Sequence, residues 1–392
     1  MKNLLPSAAA LAAAILIAAA EAAPRTLSTR TGPVQVVSLA KLDSPWGMAF
    51  LPDGRLLITE KPGRLRIYTD GKVSEPVNGV PKVGYRDQGG LLDVAVDPGF
   101  AGNRFVYLSY TELAPSQPPN ARDTADHRLG SSRPGDDNEL KGGAVARGKL
   151  ANGELTDVTV IWRQVPKMIG RGHFGGRLVF ARDGTLFITS GDRQRFEPAQ
   201  DRSTTVGKVV RINSDGSIPT DNPFVNRPNV RPDIWSIGHR NPLGAALHPA
   251  TGELWECEMG AKGGDEINLI KKAENYGWPV VSEGVHYDGT KIPPHSRHPE
   301  FVAPSRWWGS SISPSGLLVY TGDRFPKWRG NLLMGGLSSK ALFRLTLDGK
   351  DVTNEERIAL NKRIRDVAQA PDGAVLLLTD ENEAELLRLT PG

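Results

Sequence analysis

Apolar residues fall along this chain in short runs separated by Pro, Asp and Gly, and one plan recurs six times. In residues 46–68, WGMAFLPDGRLLITEKPGRLRIY, two apolar runs flank Pro-Asp-Gly, and a further turn at Pro-Gly leads into a third run. Residues 91–110 (LLDVAVDPGFAGNRFVYLSY), 177–192 (RLVFARDGTLFITSGD), 244–260 (GAALHPATGELWECEMG) and 366–389 (DVAQAPDGAVLLLTDENEAELLRL) follow the same plan, and 315–347 is a more divergent sixth copy. Short apolar runs bounded by such turns predict β-hairpins, and long helical periodicity is hard to find.

Six copies correspond to roughly 60 residues each, more than the ~40 to 50 of a compact four-stranded propeller blade. The surplus falls in two segments without periodicity, 114–140 and 285–308, rich in Pro, Asp, Ser and His. The expected fold is all-β, a six-bladed β-propeller over residues 24–392, in which radial repetition buries both faces of each sheet and leaves only short edges. An irregular pair of β-sandwiches is the competing architecture. Loops of a propeller converge on its axis, so functional residues should be distant in sequence yet similarly placed relative to their hairpins.

The start of the chain differs. MKNLLPSAAALAAAILIAAAEAAPRT has an early lysine, an apolar run and small residues, which predicts a secretory signal over residues 1–23, cleaved near Ala22 or Ala23, and a periplasmic or secreted protein. An uncleaved membrane anchor is the alternative, disfavoured by the short, alanine-rich run. No other segment approaches the ~20 apolar residues of a membrane span, so no stable membrane insertion is expected. Cys257 is the single cysteine, so no intramolecular disulfide can form and stability must come from packing or a bound ion. Lys and Arg total 48 against 44 acidic residues, with no basic run and no interleaved aromatic platform. That argues against nucleic acid and leaves a small anionic ligand as the natural use of the excess.

Polar residues placed just before apolar strands form a short set: Gln88 in RDQGG, His173 in GHFGG, Arg240 and Asn241 in GHRNP, Lys340 in LSSKALF, and Arg363 and Arg365 in KRIRDV. Four cations, two amides and an imidazole on one rim would suit a small ligand bearing several carboxylates, although each residue taken singly also reads as an ordinary solvated loop residue. Gly172, Gly175 and Gly176 around His173 would leave room for a flat cofactor. The stretch 258–279 (EMGAKGGDEINLI to NYGWP) is glycine-dense with carboxylates nearby, a composition able to converge oxygens on a hard cation, but it lacks EF-hand spacing. Zinc spacing, a GxSxG elbow and GxGxxG are absent, which disfavours a zinc enzyme, a serine hydrolase and nicotinamide binding.

Taken together, SPWGMAFLPDGRLLITEKPGRL, DQGGLLDVAVDPGF, GHFGGRLVF, GKVVRINSDGSIPTDNPF, IWSIGHRNPLG, GGDEINLI with NYGWP, and RIRDVAQAPDG resemble, in order, the soluble sugar dehydrogenases that use pyrroloquinoline quinone (PQQ), most closely their periplasmic aldose dehydrogenases. The resemblance spans nearly the whole exported chain and implies the same six-bladed fold. It also implies His173 as general base, with Arg240 and Asn241, Gln88, Lys340, Arg363 and Arg365 at the quinone. Calcium would be held by the backbone carbonyls of Gly260 and Ala261, and a second calcium by Glu266 and Tyr276. Two positions depart from the family: Ala261 stands where proline is common, and Gly172 where glucose-specific members carry aspartate, which argues for looser substrate selection.

The implied activity is oxidation of an aldose at C1 to an aldonolactone, with Arg240 stabilising developing negative charge and an unidentified electron acceptor (quinone, cytochrome or dye) completing turnover. Two other expectations stay open: a calcium-dependent lactonase on a six-bladed propeller, and a non-catalytic sugar-binding propeller in which His173 is expendable.

Overall fold

A computed structural model describes residues 24–119, 138–381 and 383–392. The proposed signal segment, residues 1–23, and most of the surplus loop 114–140 lie outside the described residues. The described strands make six antiparallel sheets arranged as the blades of a propeller.

Each sequence repeat supplies the inner strands of one blade. Blade 1 begins with Pro45–Phe50 and Leu56–Glu60, blade 2 with Leu91–Val96 and Phe105–Leu113, and blade 3 with Gly175–Phe180 and Leu186–Ser190. Blade 4 begins with Pro242–Leu247 and Leu254–Glu258, blade 5 with Pro314–Val319 and Leu332–Gly336, and blade 6 with Ile364–Gln369 and Val375–Thr379. The divergent copy at 315–347 is thus a full blade, completed by Ala341–Asp348 and Asp351–Ala359.

Blade 6 is closed from the other end of the chain. Gly32–Leu42 pairs with the C-terminal strand Ala384–Pro391, from Val34 opposite Pro391 to Leu42 opposite Ala384, so the two ends of the chain clasp the ring. Pairing of distant segments leaves no local trace, which is why the repeats alone did not foretell it.

Packing is radial. A separate apolar cluster fills every junction between neighbouring blades: Leu57 and Leu65 meet Leu91 and Val106 between blades 1 and 2, and Trp255 and Ile267 meet Leu317 and Met334 between blades 4 and 5. The ring closes through Leu42, Leu376 and Leu386 of blade 6 against Leu56 and Ile58 of blade 1. With each fully buried aliphatic side chain contributing ~1.5–3 kcal/mol, these junctions hold the blades without a disulfide.

The innermost strands share one irregularity that shapes the functional end. All six show a register shift near their start: between Pro45 and Met48, Leu91 and Val94, Gly175 and Leu178, Pro242 and Gly244, Ser315 and Leu317, and Ile364 and Asp366. A bulge re-aims the side chains beside it. Here it brings Trp46, Leu92, Phe174 and Leu243 from four blades into one apolar cluster, with Met259 packed against it.

Arg177 ties this end of the ring together. Its guanidinium pairs with Asp366 at 2.9 Å and Asp93 at 3.3 Å, donates to the carbonyls of Leu243 (2.6 Å) and Arg365 (3.1 Å), and lies 4.2 Å from the Trp46 ring. The Arg365 carbonyl also accepts from Ser315 Oγ at 2.8 Å. One buried arginine therefore reaches residues of five other blades directly or through a shared acceptor.

Candidate active site

Immediately beside that cluster is a cavity of about 240 Å³ lined by Trp46, Lys61, Gln88, Phe174, Gly175, Leu243, Met259, Ser313, Leu337, Arg363 and Arg365. Every blade contributes to the wall, so the end-on convergence expected from the repeats is realised. Gln88, Arg363 and Arg365 stand on the wall as anticipated. Arg365 lies within the strand Ile364–Gln369 rather than before it, and the register shift at that point re-aims it.

Asp380, just after the second strand of blade 6, fixes this arginine pair. Its Oδ2 accepts from Arg363 at 2.9 Å and its Oδ1 from Arg365 at 2.9 Å. Burial pushes the Asp380 carboxyl up, but Arg365 and Arg363 outweigh it and hold it down to about 2.

His173 is buried and holds a left-handed backbone conformation (φ 51°). Its N–H donates to Gln88 Oε1 at 2.9 Å, and its Nδ1 lies 2.7 Å from Asp192 Oδ1. Asp192 is in turn fixed by Trp278 Nε1 at 2.8 Å and by the Gln194 N–H at 2.8 Å. Arg193 wraps the same loop from behind, donating to the Gly172 carbonyl at 3.1 Å. A carboxylate on Nδ1 selects the tautomer that leaves Nε2 free to accept a proton. Burial, then the nearby Arg240, pull the imidazole below its ordinary value, so it is neutral at pH 7.

Arg240 and Asn241 are buried next to this dyad, joined to it by the Asp192 N–H donating to the Arg240 carbonyl at 2.7 Å. Arg240 lies 5.2 Å from the Trp278 ring and donates to the Met259 carbonyl at 2.9 Å. Its Nε and the Oδ1 of Asn241 are buried with no hydrogen-bond partner. Orphaned buried polar atoms are rare and costly, but Arg240 lines a second, smaller cavity with Glu258 and Glu266 rather than the wall with Arg363 and Arg365, and neither His173 nor Asn241 is on the lining of either cavity.

Other expected residues fall elsewhere. Lys340 is exposed, at φ 51° in the turn between the second and third strands of blade 5, and is not on the cavity wall. The glycines around His173 do not hold open space. A Cβ on Gly172 would stand 2.8 Å from the Gln194 side chain, one on Gly175 2.9 Å from Thr189 O, and one on Gly176 2.8 Å from Leu92. These positions are small because the blade packs onto itself, and only Gly175 also faces the cavity.

The residues proposed for calcium lie one loop away. Gly260, its N–H bound to Asp265 Oδ1 at 2.9 Å, follows Met259, and among the described residues no N–H donates to the carbonyl of Gly260 or Ala261. Ala261 is buried against Phe196 and Trp278, so packing supplies the rigidity that proline would. Gly260, Glu258, Glu266 and Tyr276 line a separate cavity of about 10 Å³.

Around it, Glu256, Glu258 and Glu266 crowd onto Asn268 Nδ2 at 3.3 to 3.5 Å. Burial, and then the charge of Glu258, push Glu256 and Glu266 well up, and Glu256 Oε1 has no partner. Glu258 also accepts from the N–H groups of Arg240 and Asn241, so Glu256 and Glu266 are the buried carboxylates short of donors, a shortage that a hard cation would relieve. The Tyr276 hydroxyl is taken by Leu269 O (2.6 Å) and Lys271 N (2.8 Å), and its carbonyl lies 3.1 Å from His295 Nε2, which leaves that oxygen one lone pair for a metal.

Sequence reasoning overlooked Asp192, Trp278, Asp380 and Lys61. Asp192 carried a signal, since SGD closes the second strand of its repeat much as TD does before Glu381. Trp278 and Lys61 carried none, because only the blade junctions bring them here.

Known proteins fit this geometry. The model of the family described as glucose/sorbosone dehydrogenase matches residues 42–388. The chain is 42% identical over 361 residues to the aldose sugar dehydrogenase of Escherichia coli (strain K12), covering 90% of this chain and 91% of that one. The crystal structure of the soluble Escherichia coli enzyme in its apo-form superposes with a TM-score of 0.81 at 40% identity, over 92% of this chain and 100% of that chain. The PQQ-bound aldose sugar dehydrogenase of Streptomyces coelicolor superposes with a TM-score of 0.70 at 26% identity, over 91% and 98% of the two chains. Quinoprotein glucose dehydrogenase B of Acinetobacter calcoaceticus is 30% identical over 429 residues, 88% of this chain and 84% of that one. With match and fold extending over nearly all of the propeller, the chain belongs to the glucose/sorbosone dehydrogenase family.

Proposed function

We propose that this protein is a PQQ- and calcium-dependent aldose dehydrogenase, exported after removal of residues 1–23, that oxidises the anomeric carbon of a sugar to an aldonolactone. The observation that carries the reading is the His173–Asp192 dyad at 2.7 Å beside a cavity walled by Arg363 and Arg365. A base next to an anion-binding cavity suits oxidation of a hydroxyl by an anionic cofactor better than metal-assisted hydrolysis, whose site would place carboxylates rather than arginines on the wall.

When bound, PQQ supplies the acceptor for the hydride leaving C1, and calcium supplies Lewis-acid polarisation of that acceptor. The protein does the rest. Arg363 and Arg365, held by Asp380, would take the cofactor's carboxylates, with Gln88 and Asn241 adding polar contacts. His173 accepts the proton of the C1 hydroxyl at Nε2 as the hydride departs, while Asp192 offsets the positive charge gained by the imidazole. Arg240 brings a fixed positive charge and an unspent N–H to where negative charge develops. The carbonyls of Gly260 and Ala261 would hold the catalytic calcium, and Glu266 with the Tyr276 carbonyl a second one. Gly172 stands where glucose-specific members carry aspartate, so one sugar-hydroxyl contact is missing and a broad range of aldoses is expected.

The test is reconstitution of purified protein with PQQ and calcium, followed by dye reduction with a panel of aldoses. Sugar-dependent reduction that requires both additions supports the reading. Hydrolysis of lactones without dye reduction would overturn it in favour of a lactonase.

A further inference from the structure

Lys61 is on the cavity wall although no motif or repeat singled it out. It follows the strand Leu56–Glu60 of blade 1, and its main chain is locked at the junction with blade 2. Its N–H donates to Ser44 O at 2.9 Å, and its carbonyl accepts from Leu91 N at 2.9 Å. The approach is so close that a Cβ on Gly90, which sits at φ 131°, would stand 2.2 Å from that carbonyl. The side chain is therefore launched from a fixed point along the wall shared with Gln88, Arg363 and Arg365.

Its ammonium donates to Asp87 O at 2.7 Å and lies 5.9 Å from the Tyr85 ring. Among the described residues no carboxylate lies within ion-pair distance of it, since Asp380 is taken by the two arginines. Three cations thus face one cavity, and among the described residues the carboxylate paired with cations of its wall, Asp380, is shared by the two arginines, while Asp87 acts on Lys61 only at longer range. Burial, and then repulsion from Arg365, draw the Lys61 ammonium below its ordinary value, which is the mark of a cation lacking its anion.

We propose that Lys61 is a further cofactor ligand, a third cation that pairs with a carboxylate of the bound PQQ alongside Arg363 and Arg365. The inference rests on the PQQ reading of the site. A tricarboxylate among three converging cations has each charge matched, and the two unspent ammonium protons of Lys61 give it donors to offer.

Titration of calcium-loaded protein with PQQ, read by quenching of tryptophan fluorescence in the absence of sugar, tests it. Lys61→Met should raise the Kd about 10-fold or more, the scale of a lost charge-assisted hydrogen bond, and Lys61→Arg should recover most of the loss. The three PQQ monomethyl esters separate ligation from mere support of the 85–88 loop. Wild-type protein should bind one ester markedly worse than the other two, and Lys61→Met should lose that discrimination. Lys61→Met affinity within twofold of wild type, or an equal loss for the free acid and all three esters, overturns the inference while leaving the PQQ reading intact. Wild-type protein that binds no PQQ overturns both.

Discussion

His173 Nδ1 lies 2.7 Å from Asp192 Oδ1, and the second oxygen of that carboxylate is held by Trp278 Nε1 at 2.8 Å from the neighbouring blade. The imidazole is thus oriented by a carboxylate that is itself immobilised. His173→Ala should lower turnover by at least ~10²-fold while leaving PQQ affinity largely intact, as measured by steady-state dye reduction beside a binding titration. Near-normal turnover would remove His173 from the mechanism.

The same dyad fixes a pH signature. Burial and Arg240 depress the imidazole, whereas Asp192 raises it. The acid limb of kcat should accordingly lie below pH 6.5, the ordinary histidine value. Asp192→Asn should shift that limb to still lower pH with a reduced plateau, and Arg240→Met should shift it upward. Limbs that move the opposite way in pH–rate profiles would show that another group titrates.

Asp380 gives a stability test with a defined window. Its folded value of about 2 lies below the ordinary 3.8, so its contribution is present above pH 4 and is lost as pH falls from about 4 to 2. The shift is worth about 2 kcal/mol for this largely buried group. Asp380→Asn should cost about that much in urea unfolding at pH 7, and the gap from wild type should close toward pH 2. A gap that does not change with pH would contradict the pairing.

Arg177 tests the axial tie. Removing it as Arg177→Met strands Asp93 and Asp366 against each other in the interior, where breaking a buried pair costs about 3–5 kcal/mol. Burial already pushes Asp366 up to about 7 with Arg177 in place. Without Arg177 it rises further, so the deficit measured by denaturation should shrink as pH falls toward about 7, where the stranded acid is protonated in the variant before it is in the wild type. A loss below 1 kcal/mol would demote the residue to ordinary packing.

Calcium should act on stability apart from catalysis. Chelation is expected to lower Tm and calcium to restore it, because the buried carboxylates of Glu256 and Glu266 share one amide and are short of donors around the small cavity at Glu266. Glu266→Gln should reduce the calcium-dependent part of Tm while leaving PQQ titration possible. Equal calcium response in both proteins would remove Glu266 from the ligand set.

Much of this molecule could be read before any coordinates. Turns built from Pro, Asp and Gly between apolar runs mark all six blades, since a hairpin's signal is local. Position ahead of an innermost strand puts Gln88 and Arg363 on the cavity wall and His173, Arg240 and Asn241 at the same end, whereas Lys340 precedes a third strand and is not on that wall. The glycines around His173 were read as clearance for a ligand, whereas they accommodate Gln194, Thr189 and Leu92. Residue type alone does not say which neighbour fills the space.

The sequence by itself determined the element type, the blade count and the chemical class of the site, because turn chemistry, strand period and charge are properties of short segments. Only the tertiary structure decided how the ring closes, with Gly32–Leu42 completing the last blade, and how the bulged strands aim Trp46, Leu243 and Arg365 at one cavity. It alone supplied Asp192, Trp278, Asp380 and Lys61, whose roles depend on distances between blades that are far apart along the chain. Interactions of that kind are set by packing at the axis, where six separately encoded hairpins meet.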